Sequence, residues 1–317
     1  MDESLTSVLT QNCWLIPVKP GFPWLDFNVR KRSHRLCQML SSYNADVIIL
    51  QEVWKPNNWL SYLINFIFFK SLFARDIIEL HLKRTHRHIS TSGCESFLDL
   101  MKFFDSGLLI ASRHAILMSE FRVYRTVSNT EDRLACKGIL GSSILVRSDK
   151  LVLVFTSHLD ASKDESVRDG QLTEMIAFIR YFQQKAANAG YPITGLLLAG
   201  DFNIQAANSA TYKSLCVKLS ALGLMDSWSD SNGTTSDGAS GEKEDRIDFI
   251  FSTRAPSQHP KVTEGWRADQ ERVSQIKLAR EKKAPADLLK NMEIETDQDR
   301  RKNGFTDHAG IFAKFKF

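Results

Sequence analysis

"LLLAGDFNIQ" runs from Leu196 to Gln205. Leucines and an alanine lead up to Gly200, and then Asp201 and Asn203 stand two residues apart. A short apolar run of this kind is the pattern of a strand buried on both faces. Gly, Asp and Asn are also the usual residues of turns. Two readings follow: a plain turn after a strand, or a polar pair held at the rim of a sheet and aimed at a ligand. The rest of the chain decides between them.

The same pattern recurs. "ADVIILQEVW" ends its apolar run in Gln51 and Glu52, and "LVLVFTSHLDA" delivers His158 and Asp160. A β-branched strand opens the chain and reaches Asn12 before Pro17 breaks it. "DRIDFIFS" alternates as a strand and carries Asp248, while "DSGLLIASRHAI" and "KGILGSSILV" predict strands with glycines at their ends. "AGIFAKFKF" forms a last strand with Ala309, Ile311, Ala313 and Phe315 on one face, directly after Asp307 and His308. Between these, "RKRSHRLCQMLSSYNA" sets Leu36, Cys37 and Leu40 on one helical face. "VRDGQLTEMIAFIRYFQQKAA" has helical period throughout, and a further helix is expected from about Thr211 to Leu222. Strands interspersed with helices predict two layers of sheet covered by helices. One strand-terminal Asp is usually a turn. Asn12, Glu52, His158, Asp201 with Asn203, Asp248, and Asp307 with His308, each at the end of an apolar segment, form a set.

The 317 residues, 43% hydrophobic and 25% charged, suit a globular chain. Lys and Arg number 41 against 37 Asp and Glu, a net charge of +4. That balance suits an anionic partner such as a phosphate ester or a membrane surface, and lacks the dense basic stripe of a dedicated nucleic-acid binder. The five cysteines are scattered, with no CxxC pair, so neither a zinc site nor a disulfide framework is expected, and reduced thiols in a reducing compartment are. "MDESLTS" is not expected to act as a signal peptide, and no apolar run reaches the ~20 residues of a spanning helix. The expectation is a cytoplasmic protein, soluble or peripheral at a membrane. Two segments, about 59–104 and 255–303, break the strand–helix rhythm and are expected to be excursions from a single domain spanning 1–317. The aromatic stretch near 59–73 suits either a buried helix or an element lying in a membrane interface. The basic "HLKRTHRH" beyond it suits anionic lipid or is simply a solvated face. Trp14 and Trp54 are expected in the core.

Carboxylate and amide oxygens suit a hard cation such as Mg²⁺, which takes one or two protein carboxylates and leaves its other positions to water and phosphate oxygens. Glu52 with Asn12 meets that requirement. His158 and His308 could act as general base and as donor to a developing phosphorane. Hydrolysis of a phosphodiester needs an activated water, neutralised phosphoryl oxygens and help for the leaving oxygen. A general base supplies the first, about 10²–10⁴-fold in rate. A Lewis-acid cation with preorganised donors supplies the second. Asp201 could supply the third. Lys137 is expected either to neutralise a phosphate or lipid headgroup or to sit in water.

With "TQNCWLIP", "ILQEVW", "DSGLLIASRHAI", "CKGILGSSI", "FTSHLDA", "SVRDGQLTEMIAFI", "LLAGDFNI", "DRIDFIFS" and "FTDHAGI" in this order, the sequence resembles the endonuclease/exonuclease/phosphatase superfamily. Within it, the sequence is most similar to the magnesium-dependent neutral sphingomyelinases, through "NCW" before Pro17, "EVW", Lys137 before Gly138, and the Arg168-to-Gln171 spacing. The resemblance implies an α/β fold, a four-layered DNase-like sandwich of two packed mixed β-sheets flanked by helices. It implies Mg²⁺, or Mn²⁺, held by Glu52 with Asn12 beside it and Asp307 in support. His308 would be the general base and Asp248 would orient its ring, with Asp245 close enough to compete. His158 and Asn203 would contact phosphate oxygens, and Asp201 would assist the leaving alcohol or order the water. The expected activity is hydrolysis of a phospholipid, sphingomyelin to ceramide and phosphocholine. The same site could instead serve a nuclease or tyrosyl-DNA phosphodiesterase acting on nucleic acid, or a phosphoinositide phosphatase. A scaffold on a dead catalytic fold is disfavoured, because every expected catalytic position is filled.

Overall fold

A computed structural model of the chain describes residues 5–15, 29–55, 74–93, 104–128, 135–147, 149–207, 210–228, 245–258, 260–262 and 308–317, with Lys102, Asp132 and Thr235 as isolated positions. The elements follow one another as β1 (Leu5–Asn12), α1 (Val29–Tyr43), β2 (Val47–Gln51), α2 (Ala74–Leu82), β3 (His88–Thr91), β4 (Leu109–Ser112), β5 (Ala115–Val123), β6 (Gly138–Arg147), β7 (Lys150–His158), α3 (Glu165–Ala187), β8 (Ile193–Asp201), α4 (Ala210–Ser220), β9 (Met225–Asp226), β10 (Asp248–Ser252), β11 (Lys261–Val262) and β12 (Ile311–Lys316). They build two six-stranded sheets, in the orders β11-β12-β1-β2-β4-β3 and β5-β6-β7-β8-β10-β9.

Alternation along the strands sorts the apolar side chains into three cores. Val8, Val47, Ile49, Ile110, Val152, Val154, Leu197, Ala199, Ile250, Ile311, Ala313 and Phe315 fill the space between the sheets. Their neighbours Leu9, Ile48, Leu50, Leu109 and Ala111 face the other way, against Leu36, Cys37 and Leu40 of α1 and Ile78 and Leu82 of α2. On the second sheet Leu153, Phe155, Leu196, Leu198, Phe249 and Phe251 meet Met175, Phe178, Ile179 and Phe182 of α3 and Leu215 and Leu219 of α4. The result is helix, sheet, sheet, helix in four layers, as expected. Central strands such as β8 are therefore apolar on both faces, which explains the run before Gly200.

Local chemistry fixes the covering helices. Asp164 caps α3 by accepting from the Ser166 N–H, and Glu165 and Lys185 complement the helix dipole at its two ends. Asn44, left-handed at φ 49°, ends α1. Each helix crossover joins one parallel pair: β1 to β2 through α1, and β7 to β8 through α3. Parallel strands end at the same end of their sheet, so Asn12 and Gln51 finish together, as do His158 and Asp201. In open α/β sheets, ligands bind beyond such carboxyl ends.

Four expectations need correction. "DSGLLIASRHAI" is two strands in different sheets: β4 pairs with β2, and after Arg113 and His114 the chain crosses to pair β5 with β6. The segment expected as an excursion at 59–104 contains α2 and β3, which belong to the fold because Ile78 and Leu82 are buried in the first outer core and β3 pairs with β4. The charged segment from 255 begins with a strand, β11, paired with β12. The aromatic stretch near 59–73 lies outside the described residues. Cys136 is disulfide-bonded, against the expectation of reduced thiols, whereas Cys13, Cys37 and Cys216 are free. The thiol argument for a reducing compartment therefore does not extend to Cys136. Among the described residues no helix is long and apolar enough to cross a membrane.

Candidate active site

Three adjacent strands of the second sheet set a row. His158 of β7 is the ladder partner of Asp201 of β8, and Asp201 is the ladder partner of Asp248 of β10. All three keep the parity of the inner-facing residues Val152, Val154, Leu197, Ala199 and Ile250, so their side chains face the first sheet. Directly before the row the two central strands come unusually close. A Cβ on Gly200, whose φ is +153°, would lie 2.0 Å from the Ser157 carbonyl oxygen. Only glycine admits that approach.

The first sheet contributes from opposite this row. Asn12 continues the inner face of β1. Glu52 would by alternation follow Ile48 and Leu50 outward, but its backbone is left-handed at φ 57°, and its carboxylate meets Asn12 instead. Asn12 Nδ2 donates to Glu52 Oε1 at 2.9 Å and to Asp201 Oδ2 at 2.9 Å. Its Oδ1 accepts the Trp14 N–H at 3.0 Å, which orients the amide. Asn12 therefore turns its nitrogen to the two carboxylates and ties them together.

His308 precedes β12, and its Nδ1 lies 2.8 Å from Asp248 Oδ2. With Nδ1–H donating to the carboxylate, Nε2 is left as the basic nitrogen, and it faces Asp201 Oδ2 at 3.7 Å. Asp245, the competitor in sequence, is engaged elsewhere: its Oδ1 accepts the N–H groups of Ala207 and Arg246. Two residues absent from the sequence reading hold the pair. Thr235 Oγ1 accepts the Asp248 N–H at 3.0 Å, and its carbonyl accepts the Ala309 N–H at 2.7 Å. Gln11 Nε2 donates to the His308 carbonyl at 3.0 Å. Thr235 lies in a sequence rich in Ser, Asp and Gly that carries no signal of its own.

His158 is neutral. Burial, with Lys137 and His308 nearby, pulls its pKa down to about 3 against the attraction of Asp201. Its Nε2 lies 3.7 Å from Asp201 Oδ2 and its Nδ1 3.9 Å from Glu52 Oε1, both too long for hydrogen bonds. His158 Nδ1 is buried and has no hydrogen-bond partner among the described residues.

Lys137 is only 2% exposed, which excludes the solvated reading. Its Nζ donates to the Leu159 carbonyl at 3.2 Å and lies 3.4 Å from Asp132 Oδ1. Asn203, left-handed at φ 50°, donates its side-chain amide to the same carbonyl at 3.0 Å, while its N–H closes a turn onto Asp201 Oδ1. The loop after His158 is held from α3. Gln171 Oε1 accepts the Asp160 N–H and its Nε2 donates to the Thr126 carbonyl, while Arg168 donates to the carbonyls of Asp160 and Ser162. The Arg168-to-Gln171 spacing was visible in the sequence; its use as a brace between two loops was not. Trp54 is buried as expected, whereas Trp14 is half-buried under the Arg32 guanidinium, 4.7 Å from the ring centroid. Asp307 lies outside the described residues.

The residues present fit a divalent cation. Glu52, His158 and Asp201 offer ligand atoms within 4.8 Å of one another, as do Asp201, Asp248 and His308. Burial raises the Glu52 carboxyl above its ordinary pKa; the Asn12 amide, His308 and Lys137 oppose this and Asp201 adds to it. Two buried carboxylates linked by one neutral amide are the donor set a hard cation takes.

A four-layered sandwich whose strand ends converge in carboxylates and histidines defines a class of hydrolase-like folds. The chain belongs to the endonuclease/exonuclease/phosphatase family, whose sequence pattern matches residues 9–274. It is similar to a putative neutral sphingomyelinase of Drosophila melanogaster, 25% identical over 234 residues that cover 70% of this chain and 44% of that protein. The chain thus spans less than half the length of that relative. Among solved structures, SmcL superposes with a TM-score of 0.63 at 17% identity, over 99% of this chain and 100% of that one. A beta toxin variant from Staphylococcus aureus, crystallised with bound magnesium ions, gives a TM-score of 0.63 at 16% identity, over 99% of this chain and 100% of that one. These structural likenesses show the shared fold.

Proposed function

We propose that the protein is a metal-dependent phosphodiesterase that hydrolyses a phospholipid, sphingomyelin to ceramide and phosphocholine. The observation that carries this is the His308–Asp248 pair, 2.8 Å apart, with Nε2 of the imidazole turned toward Asp201. A base oriented by a carboxylate suits removal of a proton from water. Support for the lipid substrate comes from the similarity to the neutral sphingomyelinase.

Glu52 and Asp201 would hold a divalent cation, Mg²⁺ or Mn²⁺, which when bound would supply Lewis-acid stabilisation of phosphoryl charge. The chain's own groups do the rest. His308 takes the proton of the attacking water at Nε2, and Asp248 stabilises the imidazolium that results. Neutral His158 and the amide of Asn203 donate to phosphate oxygens. Lys137 adds positive charge from behind the Leu159 carbonyl. Asp201, within reach of both histidines, orders the water or assists the leaving alcohol. A lipid substrate brings the protein to a membrane surface as a peripheral protein.

The test is a substrate panel. The full chain is offered sphingomyelin vesicles, single- and double-stranded DNA, and inositol polyphosphates, each with Mg²⁺ and with a chelator. Phosphocholine release that the chelator abolishes is the expected result. DNA cleavage without lipid turnover would assign the site to nucleic acid instead.

A further inference from the structure

The left-handed backbone of Glu52 has to be held in place. Such a conformation in a non-glycine residue costs about 1–3 kcal/mol and persists only where its surroundings determine it. What surrounds it is a buried ion pair, one member of which, Asp105, opens the "DSGLLIASRHAI" motif. Arg75, in the first turn of α2, pairs through Nη1 with Asp105 Oδ2, and both residues are buried. Arg75 Nε also donates to the Val53 carbonyl at 2.9 Å, one residue past Glu52. Asp105 Oδ1 accepts the N–H groups of Lys55 and Gly107, each at 3.1 Å. Val53 N–H donates to the Gly107 carbonyl at 2.9 Å, and Asp105 N–H to the Lys55 carbonyl at 3.1 Å. Gly107 presses on the target itself: a Cβ there would stand 3.1 Å from Glu52 Cα. On the other side, Leu15 N–H donates to the Glu52 carbonyl at 3.2 Å.

A buried ion pair is a weak device for stability, since apolar side chains of similar volume often serve as well. This pair does what apolar groups cannot, because it binds the backbone polar groups of the segment that leaves Glu52. The same stretch also reaches Lys137, since the N–H of its neighbour Cys136 donates to the carbonyls of Phe104 and Asp105.

We propose that Arg75 and Asp105 are a positioning pair that holds Glu52 in its inward conformation and so sets the affinity of the site for a divalent cation. The proposal rests on Glu52 being a cation ligand, and the test separates the two ideas. Mg²⁺ alone is titrated into the full chain by calorimetry, for the parent, Glu52→Gln, Arg75→Met and Asp105→Asn. Met175→Ala, in the core under α3, serves as a control that lowers the thermal midpoint far from Glu52. Asp105→Asn keeps the shape and an acceptor oxygen, so it stays informative should Arg75→Met fail to fold. The expected result is Mg²⁺ binding weakened by roughly 10–100-fold in Arg75→Met and Asp105→Asn, as for groups that orient ligands, with Met175→Ala unchanged. Arg75→Lys should recover only part of the loss, because one ammonium cannot serve Asp105 and Val53 together. Loss of binding in Glu52→Gln with parental affinity in both pair variants overturns the positioning role alone. Parental affinity in Glu52→Gln removes Glu52 as a ligand and the positioning role with it. Equal weakening in Met175→Ala would reduce the effect to general destabilisation and overturn the proposal.

Discussion

The two sheets supply the site by different means. In the second sheet, His158, Asp201 and Asp248 are ladder partners on neighbouring strands, so ordinary strand pairing sets their spacing. In the first, Glu52 stands one residue beyond its strand, with a left-handed backbone that reverses the alternation. A ladder sets the backbone spacing of its residues without further support. A residue off the ladder needs supports from distant parts of the chain, here Arg75, Asp105 and Gly107. Regular pairing and local strain are thus alternative ways to place a carboxylate, and this molecule uses one on each side.

The His308–Asp248 pair spans both halves, since His308 precedes β12 of the first sheet and Asp248 begins β10 of the second. His308→Ala should give the largest effect, a loss of about 10²–10⁴-fold in phosphocholine release with the circular dichroism of the parent retained. An intact rate would remove His308 as the base. Next come the two glycines, one from each half. Gly200→Ala places a methyl against the Ser157 carbonyl between paired central strands, where nothing can give, and should cost more than about 4 kcal/mol by urea unfolding or prevent folding. Gly107→Ala meets looser limits, 3.1 to 3.2 Å from Glu52 backbone and Trp54, at φ 67°, and should cost about 1–3 kcal/mol. Equal costs at the two positions would erase the distinction between a rigid ladder and an adjustable turn.

The smallest effect concerns His86, on the outer side of the first sheet. Its Nε2–H donates to the Ala45 carbonyl at 3.0 Å, and its Nδ1 lies 2.9 Å from the Thr85 hydroxyl. Burial lowers its pKa from the ordinary value, against the Ala45 bond. A histidine lowered on folding contributes stability above its unfolded pKa of about 6.5, and loses it as pH falls toward the folded value. The urea midpoint of the parent should therefore fall between pH 7.5 and about pH 5.5 more than that of His86→Gln. A larger fall in His86→Gln would reverse the sign and refute the account.

The four layers could be read from the sequence, because buried strands and amphipathic helices leave period and length in the chain. The row was also legible, since Asp201 and His158 end apolar runs. The crossing after Ser112 was not, because only Arg113 and His114 separate β4 from β5, with no glycine or proline to mark a break, and pairing alone assigns the two strands to different sheets. Asp105 opens the "DSGLLIASRHAI" motif, where no local pattern marks it for a role, and Arg75 lies in the 59–104 segment, which breaks the strand–helix rhythm. Both act across 20 to 50 residues of sequence through backbone groups, which no local pattern records. Asn12 was placed correctly beside Glu52, but the direction of its amide depended on the Trp14 N–H.

The direct pairing of His158, Asp201 and Asp248 has a consequence for how such a chain can change. Successive strand residues point to opposite faces, so adding or deleting one residue between Gly195 and Asp201 would swing Asp201 from the inner face to the α3 side, whereas the extra residue of β8 at Thr194 is taken up by a bulge at the strand's far end. Connections between strands carry no such restriction. Diversification should therefore proceed by lengthening and recolouring loops, while the residue counts of the central strands stay invariant.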